Sequence, residues 1–140
     1  MVSIEIGERI TGQVTLSSEE IAQFARLCGD LNPLHHDEVY ARQTRFGGII
    51  ACGPHITSLM MGLTATHFSR DGAMLGLEFT FRFRKPVKVN EQIDMLWEVV
   101  AVEPKASLQG SLVTLQGKAI NPQGQEVLVG TGKILATEKL

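Results

Sequence analysis

Asp30 and His35 are the residues best placed by type and spacing to do chemistry. They stand five positions apart in Gly29-Asp30-Leu31-Asn32-Pro33-Leu34-His35. Histidine titrates near neutrality, and a partly buried aspartate can serve as its charge partner or as a base. Pro33 restricts its own φ and the residue before it. A loop stiffened in this way can hold a carboxylate and an imidazole around one water molecule and move a proton between them. The same residues also suit an ordinary turn, with Asn32-Pro33 at the bend and Asp30 capping the preceding helix.

A second candidate is a hydrogen-bond donor. Gly53-Pro54 opens an apolar segment, Ile56 to Phe68, that reads as a helix. The first turn of a helix carries unpaired N–H groups and the positive end of the dipole. Proline has no N–H, so the Gly53 amide is the natural donor, and a residue without a Cβ lets a carbonyl oxygen come close. Gly53 is equally a helix cap, and the two roles are compatible. Cys52 precedes it; as nothing in the sequence lowers its pKa, it reads as a small buried thiol rather than a nucleophile. His55, at the helix start, is a candidate for a pocket mouth. His36 is expected to point away from His35, and His67 to be a satisfied core or helix-end histidine. No His, Cys or carboxylate set has metal-ligand spacing, so no metal is expected. The glycines follow neither the GxGxxG nor the GxxxxGK order that binds dinucleotides or phosphates.

The elements that must position these groups follow from periodicity. Ser3 to Thr15 alternates loosely and reads as a strand or a kinked pair. Ser17 or Ser18 can cap a helix whose first turn holds Glu19 and Glu20, with Ile21, Phe24, Ala25 and Cys28 on one face and Gly29 at its end. A short helix is expected over Asp37 to Gln43. The helix from Gly53 to about Ser69 is apolar or small on several faces and is expected to be buried nearly all round. Strand alternation then places Leu77, Phe79, Phe81 and Phe83 on one face, with Glu78, Thr80, Arg82 and Arg84 on the other. Ile93–Glu103, Ser111–Ile120 and Glu126–Ala136 complete the strands, separated by Pro104-Lys105, Asn121-Pro122 and Gln123-Gly124. The class is α+β: an antiparallel sheet wrapped around one long central helix.

Composition narrows the function. The chain of 140 residues suits one domain, and 44% hydrophobic against 20% charged residues excludes intrinsic disorder. Thirteen basic residues against 15 acidic give a net charge of −2, a poor balance for a nucleic-acid binder. Two cysteines form no disulfide framework. The opening MVSIEIGERI does not read as a secretory signal, and no stretch is long enough to span a membrane. A soluble cytoplasmic protein with neither nucleic-acid nor membrane partners is the expectation.

The run from Phe24 to His35 resembles the signature of the MaoC-like dehydratases and (R)-specific enoyl-CoA hydratases, a G-D-x-N-P-x-H motif. Asp37-Glu38-Val39-Tyr40-Ala41, Ala51-Cys52-Gly53 and Phe83-Arg84-Lys85-Pro86-Val87 match in order and spacing, so the similarity spans residues 17 to 100. It implies a single hot-dog unit over residues 1–140. It also implies reversible addition of water across the 2,3 double bond of an acyl thioester. Asp30 and His35 would be the catalytic dyad, Gly53 the donor to the thioester oxygen, and Asn32 a residue that fixes the loop. Coenzyme A would enter only as part of an acyl-CoA or acyl-carrier substrate, with no separate cofactor. The family also implies a homodimer, and a small unit with an exposed sheet edge needs one.

Two departures stand out. The histidine that usually precedes the helix glycine is Cys52 here, which leaves a backbone donor unaffected. Met61 stands about where some hydratases carry a small or hydroxyl residue; it would fill acyl-pocket volume or is plain core. Four basic residues lie between Arg82 and Lys88. There Arg84 is a candidate contact for coenzyme A phosphates, against the alternative of a solvated strand face. A hot-dog thioesterase is the competing activity, opposed by a central helix without Asp or Glu from Gly53 to Arg70. A non-catalytic thioester-binding subunit is the competing non-enzyme.

Overall fold

The computed structural model describes residues 3–140, so the first two residues of the N-terminal stretch read above lie outside the described residues. The chain runs β1 (Arg9–Thr15), α1 (Ser18–Leu27), a 3-10 turn (Pro33–His35), α2 (Glu38–Arg42), α3 (Gly53–Phe68), β2 (Ala73–Phe83), β3 (Gln92–Lys105), β4 (Gly110–Ile120) and β5 (Glu126–Thr137). The strands form one antiparallel sheet in the order β1-β3-β4-β5-β2, packed against α3. This is the α+β arrangement expected.

Burial explains the order. Strand β3 sits inside the sheet and buries Ile93, Met95, Trp97 and Val99 in strict alternation. Trp97 is fully buried, and its indole N–H donates to the Met60 carbonyl oxygen of α3 at 2.7 Å, which ties the sheet to the helix. The large rings need room across the ladder, and glycine supplies it. Trp97 pairs with Gly117, and Phe79 with Gly132. A Cβ on either glycine would stand 2.5 Å from the facing ring. Register shifts after Gly76, Val99 and Ala119 bend the strands.

Several expectations are corrected. Strand β1 starts at Arg9 rather than Ser3; Gly7 (φ +94°) turns the chain and donates to the Val99 carbonyl before the ladder begins. Pro104 and Lys105 belong to β3 instead of a turn. Strand β1 pairs with β3 only as far as Glu98, so Pro104, facing Ser111 of β4, removes no donor that a second neighbour needs. Leu77 falls at the β2 bulge and is exposed, out of phase with Phe79 and Phe81. Helix α3 is not buried all round. His55, Ile56, Met60, Thr64 and Phe68 are buried, whereas Ser58, Met61, Gly62 and Ala65 are exposed, because one sheet covers one face. His67, at the end of α3, hydrogen-bonds Glu8 at 2.7 Å. Among the described residues no helix is long and apolar enough to cross a membrane.

Candidate active site

The loop that carries Asp30 is launched by the way α1 ends. Ser17 caps α1 through a capping box with Glu20, each side chain meeting the other residue's backbone N–H at 3.1 Å. At the other end Gly29 takes φ +73° and donates to the Arg26 carbonyl, while Asp30 N–H donates to the Ala25 carbonyl at 2.8 Å. This pair of bonds is the Schellman termination, and it needs a left-handed residue that glycine supplies without strain. Asp30 therefore leaves the helix with its backbone fixed.

Side-chain bonds then shape the loop. Asp30 Oδ1 accepts from Asn32 N–H at 3.0 Å, and Asn32 Oδ1 from Leu34 N–H at 3.1 Å. Asn32 thus caps the 3-10 turn that ends in His35. The second oxygen of Asp30, Oδ2, lies 3.3 Å from His35 Nε2. The imidazole is buried, with 7% of its side chain exposed against 32% for Asp30. His35 Nδ1–H donates to the Ile50 carbonyl oxygen at 2.7 Å. A carbonyl only accepts, so the proton of the neutral ring belongs on Nδ1, and Nε2 presents a lone pair toward Asp30. Two acceptors that converge in this way fit the two protons of a water molecule, or one shared proton.

Ile50 also positions the second half of the site. Its N–H donates to the Leu34 carbonyl at 3.2 Å, and Ala51 N–H donates to Val87 at 2.9 Å. The short segment that holds His35 therefore leads within three residues to Gly53. The φ of Cys52 is −71° and its ψ 152°, extended values from which α3 starts without a side-chain cap. No acceptor in the described residues takes the Gly53 N–H. The Phe83 ring lies across this glycine: a Cβ there would sit 3.0 Å from Phe83 Cζ.

A pocket of about 460 Å³ is lined by Asn32, His35, Cys52, Gly53, Phe83 and Arg84 among others, while Asp30 stands outside the lining and adjoins it through its 3.3 Å approach to His35. Its inner wall is apolar, formed by Ile56, Val87, Val127 and Leu128. Burial pushes the Cys52 thiol up, and the charges of Cys28 and Asp30 push the same way against a pull from the His55 N–H. A neutral thiol is a wall, not a nucleophile. The basic tract divides: Arg84 and Lys85 line this pocket, whereas Arg82 lines a separate pocket of about 480 Å³ on the opposite face of the sheet, with Arg9 and Lys118.

Two expected site residues are elsewhere. His55 is outside the pocket lining and 5% exposed, stacked on Phe24 of α1 at 4.2 Å between ring centroids. Helical geometry turns it toward α1 while Gly53 faces the pocket. Met61 is 39% exposed on the open side of α3, away from the pocket. Sequence reasoning also missed two residues. Phe83 lies at the end of an alternating aromatic strand, and its meeting with Gly53 is a long-range contact. His36 turns away from His35 as expected, but its Nε2 donates to the Asp30 carbonyl at 2.7 Å, a bond the sequence reading did not foresee. Among the described residues no group of three or more His, Cys, Asp or Glu is placed to hold a metal ion.

Comparison with known proteins agrees on one family. The model of the MaoC like domain matches residues 3–120. An (R)-specific enoyl-CoA hydratase of Aeromonas caviae is 32% identical over 130 residues, covering 90% of this chain and 95% of that protein. A 3-hydroxybutyryl-CoA dehydratase of Methylorubrum extorquens is 30% identical over 125 residues, covering 84% and 79%. Among solved structures, the unliganded R-hydratase PhaJ1 of Pseudomonas aeruginosa superposes with a TM-score of 0.86 at 30% identity, covering 96% of this chain and 83% of that one. The (R)-hydratase of A. caviae superposes at 0.87 with 27% identity, covering 96% and 98%. The architecture is the hot-dog fold.

Proposed function

Because the chain belongs to the MaoC-like dehydratase family, we propose that it reversibly hydrates the 2,3 double bond of an enoyl thioester, with Asp30 and His35 as the acid–base dyad. The observation that carries this reading is the 3.3 Å approach of His35 Nε2 to Asp30 Oδ2 beside the pocket, with Nδ1 held on the Ile50 carbonyl at 2.7 Å. In the neutral ring that arrangement leaves the Nε2 lone pair to accept a proton. A water held there loses a proton to the dyad as its oxygen bonds C3 of the substrate. The electron pair of the double bond moves toward the thioester oxygen. The dyad then returns a proton to C2, and the 3-hydroxyacyl thioester leaves with atoms and charge balanced.

The enolate-like oxygen formed on the way needs a donor that gains strength in the transition state. The Gly53 N–H, free at the positive end of α3, fills that role. Phe83 lies against Gly53 and closes one side of the space where the carbonyl would sit. Arg84 and Lys85 stand at the pocket where the phosphates of a coenzyme A arm would pass. Coenzyme A is then substrate, and the scheme uses no separate cofactor.

A homodimer accompanies this reading. Strands β1 and β2 are the open edges of the sheet, β2 exposes Leu75 and Leu77, and α3 leaves Met61 uncovered. The test of function is a panel of trans-2-enoyl-CoA substrates of increasing chain length, followed by loss of the conjugated enoyl absorbance and by assay of free thiol. Hydration of at least one member without release of free coenzyme A is expected. Thiol release would make the protein a thioesterase. An inert panel with measurable thioester binding would make it a non-catalytic subunit.

A further inference from the structure

The loop from Leu31 to Pro33 is exposed, so no packing holds it; only hydrogen bonds do. The bonds of these three residues are local, between residues two to four apart. A neighbouring side chain reaches back across the loop. His36, partly buried, reaches back six residues and donates from Nε2 to the backbone carbonyl of Asp30 at 2.7 Å. Its backbone, at φ −129° and ψ −33°, turns the ring away from His35, leaving the two rings nearly perpendicular with centroids 6.4 Å apart.

We infer that His36 is a positioning residue for Asp30, acting through this bond; the inference rests on the proposed hydration. Asp30 is then held on both sides of its Cα. Its N–H is fixed to Ala25 and its carbonyl to His36. The same peptide unit continues to Leu31 and so to Asn32, whose N–H clamps Oδ1. If the Asp30 carbonyl is released, the peptide plane between residues 30 and 31 turns freely. The Asn32 clamp then moves with it, and Oδ2 loses its fixed distance from His35 Nε2. Misplacement on the ångström scale costs as much as 100-fold in proton-transfer chemistry. The donor must be Nε2–H, because a carbonyl offers only lone pairs. His36 and His35 thus carry opposite neutral tautomers, Nε2–H and Nδ1–H.

His36→Leu and His36→Gln test this. The glutamine amide nitrogen stands close to the place of Nε2 and keeps a donor; leucine fills the space without one. The expected result is a kcat lowered roughly 10- to 100-fold in H36L at near-constant KM, with H36Q within about threefold of wild type. Unfolding midpoints of both variants should stay near wild type. Wild-type kcat in H36L, or equal impairment of H36L and H36Q, overturns the inference. If the wild-type protein hydrates no enoyl thioester, the functional reading fails, yet the bond is still open to test. Nitrogen NMR of the neutral rings should place the His36 proton on Nε2, and H36L should shift the Asp30 carboxyl carbon. A proton on Nδ1 of His36 overturns the inference whatever the activity.

Discussion

The sheet around Trp97 and the loop from Gly29 to His36 are held by opposite means. Trp97 is fully enclosed, seated on Gly117, pinned to α3 through Met60 and flanked by Phe79 and Phe81 with ring centroids 5.8 and 6.1 Å away. Its position follows from filled volume. The loop has almost no volume to fill: Leu31, Asn32 and Pro33 are exposed, and directional bonds at both ends do the holding. Buried packing is strong and tolerant of small drift, whereas hydrogen bonds contribute little stability each but fix direction. Stability and proton transfer should therefore be separable by substitution.

The sharpest break between the two regions is expected at the dyad. Asp30→Asn removes the carboxylate. His35→Asn keeps a donor near Nδ1 for the Ile50 carbonyl while deleting Nε2. Each should lower kcat by about 10²- to 10⁴-fold on whichever enoyl thioester the wild type hydrates, with the unfolding midpoint little changed. Steady-state rates beside thermal melts measure both. Activity within tenfold of wild type in either variant would remove that residue from the dyad.

The converse effect belongs to Gly117→Ala. The new Cβ meets the Trp97 ring at 2.5 Å, and the ring cannot swing aside without stretching its bond to Met60. Overpacking of this kind costs about 1–3 kcal/mol. Denaturant titration should show that loss, while kcat per folded molecule remains at the wild-type value. A fall in kcat that matches the fall in stability would mean that the loop is not independent of the sheet.

The sequence revealed these regions unequally, for physical reasons. Local signals were readable: the Ser17 cap, the Gly29 termination, the turn at Asn32-Pro33 and the alternation of β3 each depend on a few neighbouring residues. The nearness of Asp30 to His35 and the start of α3 at Gly53 were readable for the same reason. What was not legible depended on distant partners. His55 and Met61 lie on α3 faces whose neighbours, α1 on one side and open solvent on the other, are decided by tertiary placement. Phe83 meets Gly53 only because β2 runs beside the helix start. The Leu77 bulge reverses a phase that simple alternation carries straight through. His36 turns away from His35 as expected, but its bond to the Asp30 carbonyl depends on one backbone turn after His35, which residue types do not specify.

The smallest expected effect tests whether the two regions communicate. His55 lies two residues beyond Gly53 yet stacks on Phe24 of the helix that launches Asp30, and its buried Nδ1 has no partner in the described residues. Burial lowers its pKa below the ordinary 6.5, opposed weakly by Glu20. Well above 6.5 the ring is neutral in both folded and unfolded chains and contributes no pH dependence. As pH falls below that value the unfolded chain binds a proton that the folded chain resists. Stability is therefore lost from about pH 6.5 down to the lowered folded pKa, and the loss then levels off. His55→Phe keeps a ring against Phe24 and removes the titration. Denaturant melts between about pH 7 and pH 5 should show a shallower loss in H55F than in wild type. The acid limb of kcat/KM should coincide in the two proteins, since Asp30 and His35, the proposed dyad, are unchanged in both. A displaced acid limb in H55F would show that α1 carries the state of this buried ring into the Asp30 loop, and the separation drawn above would fail there.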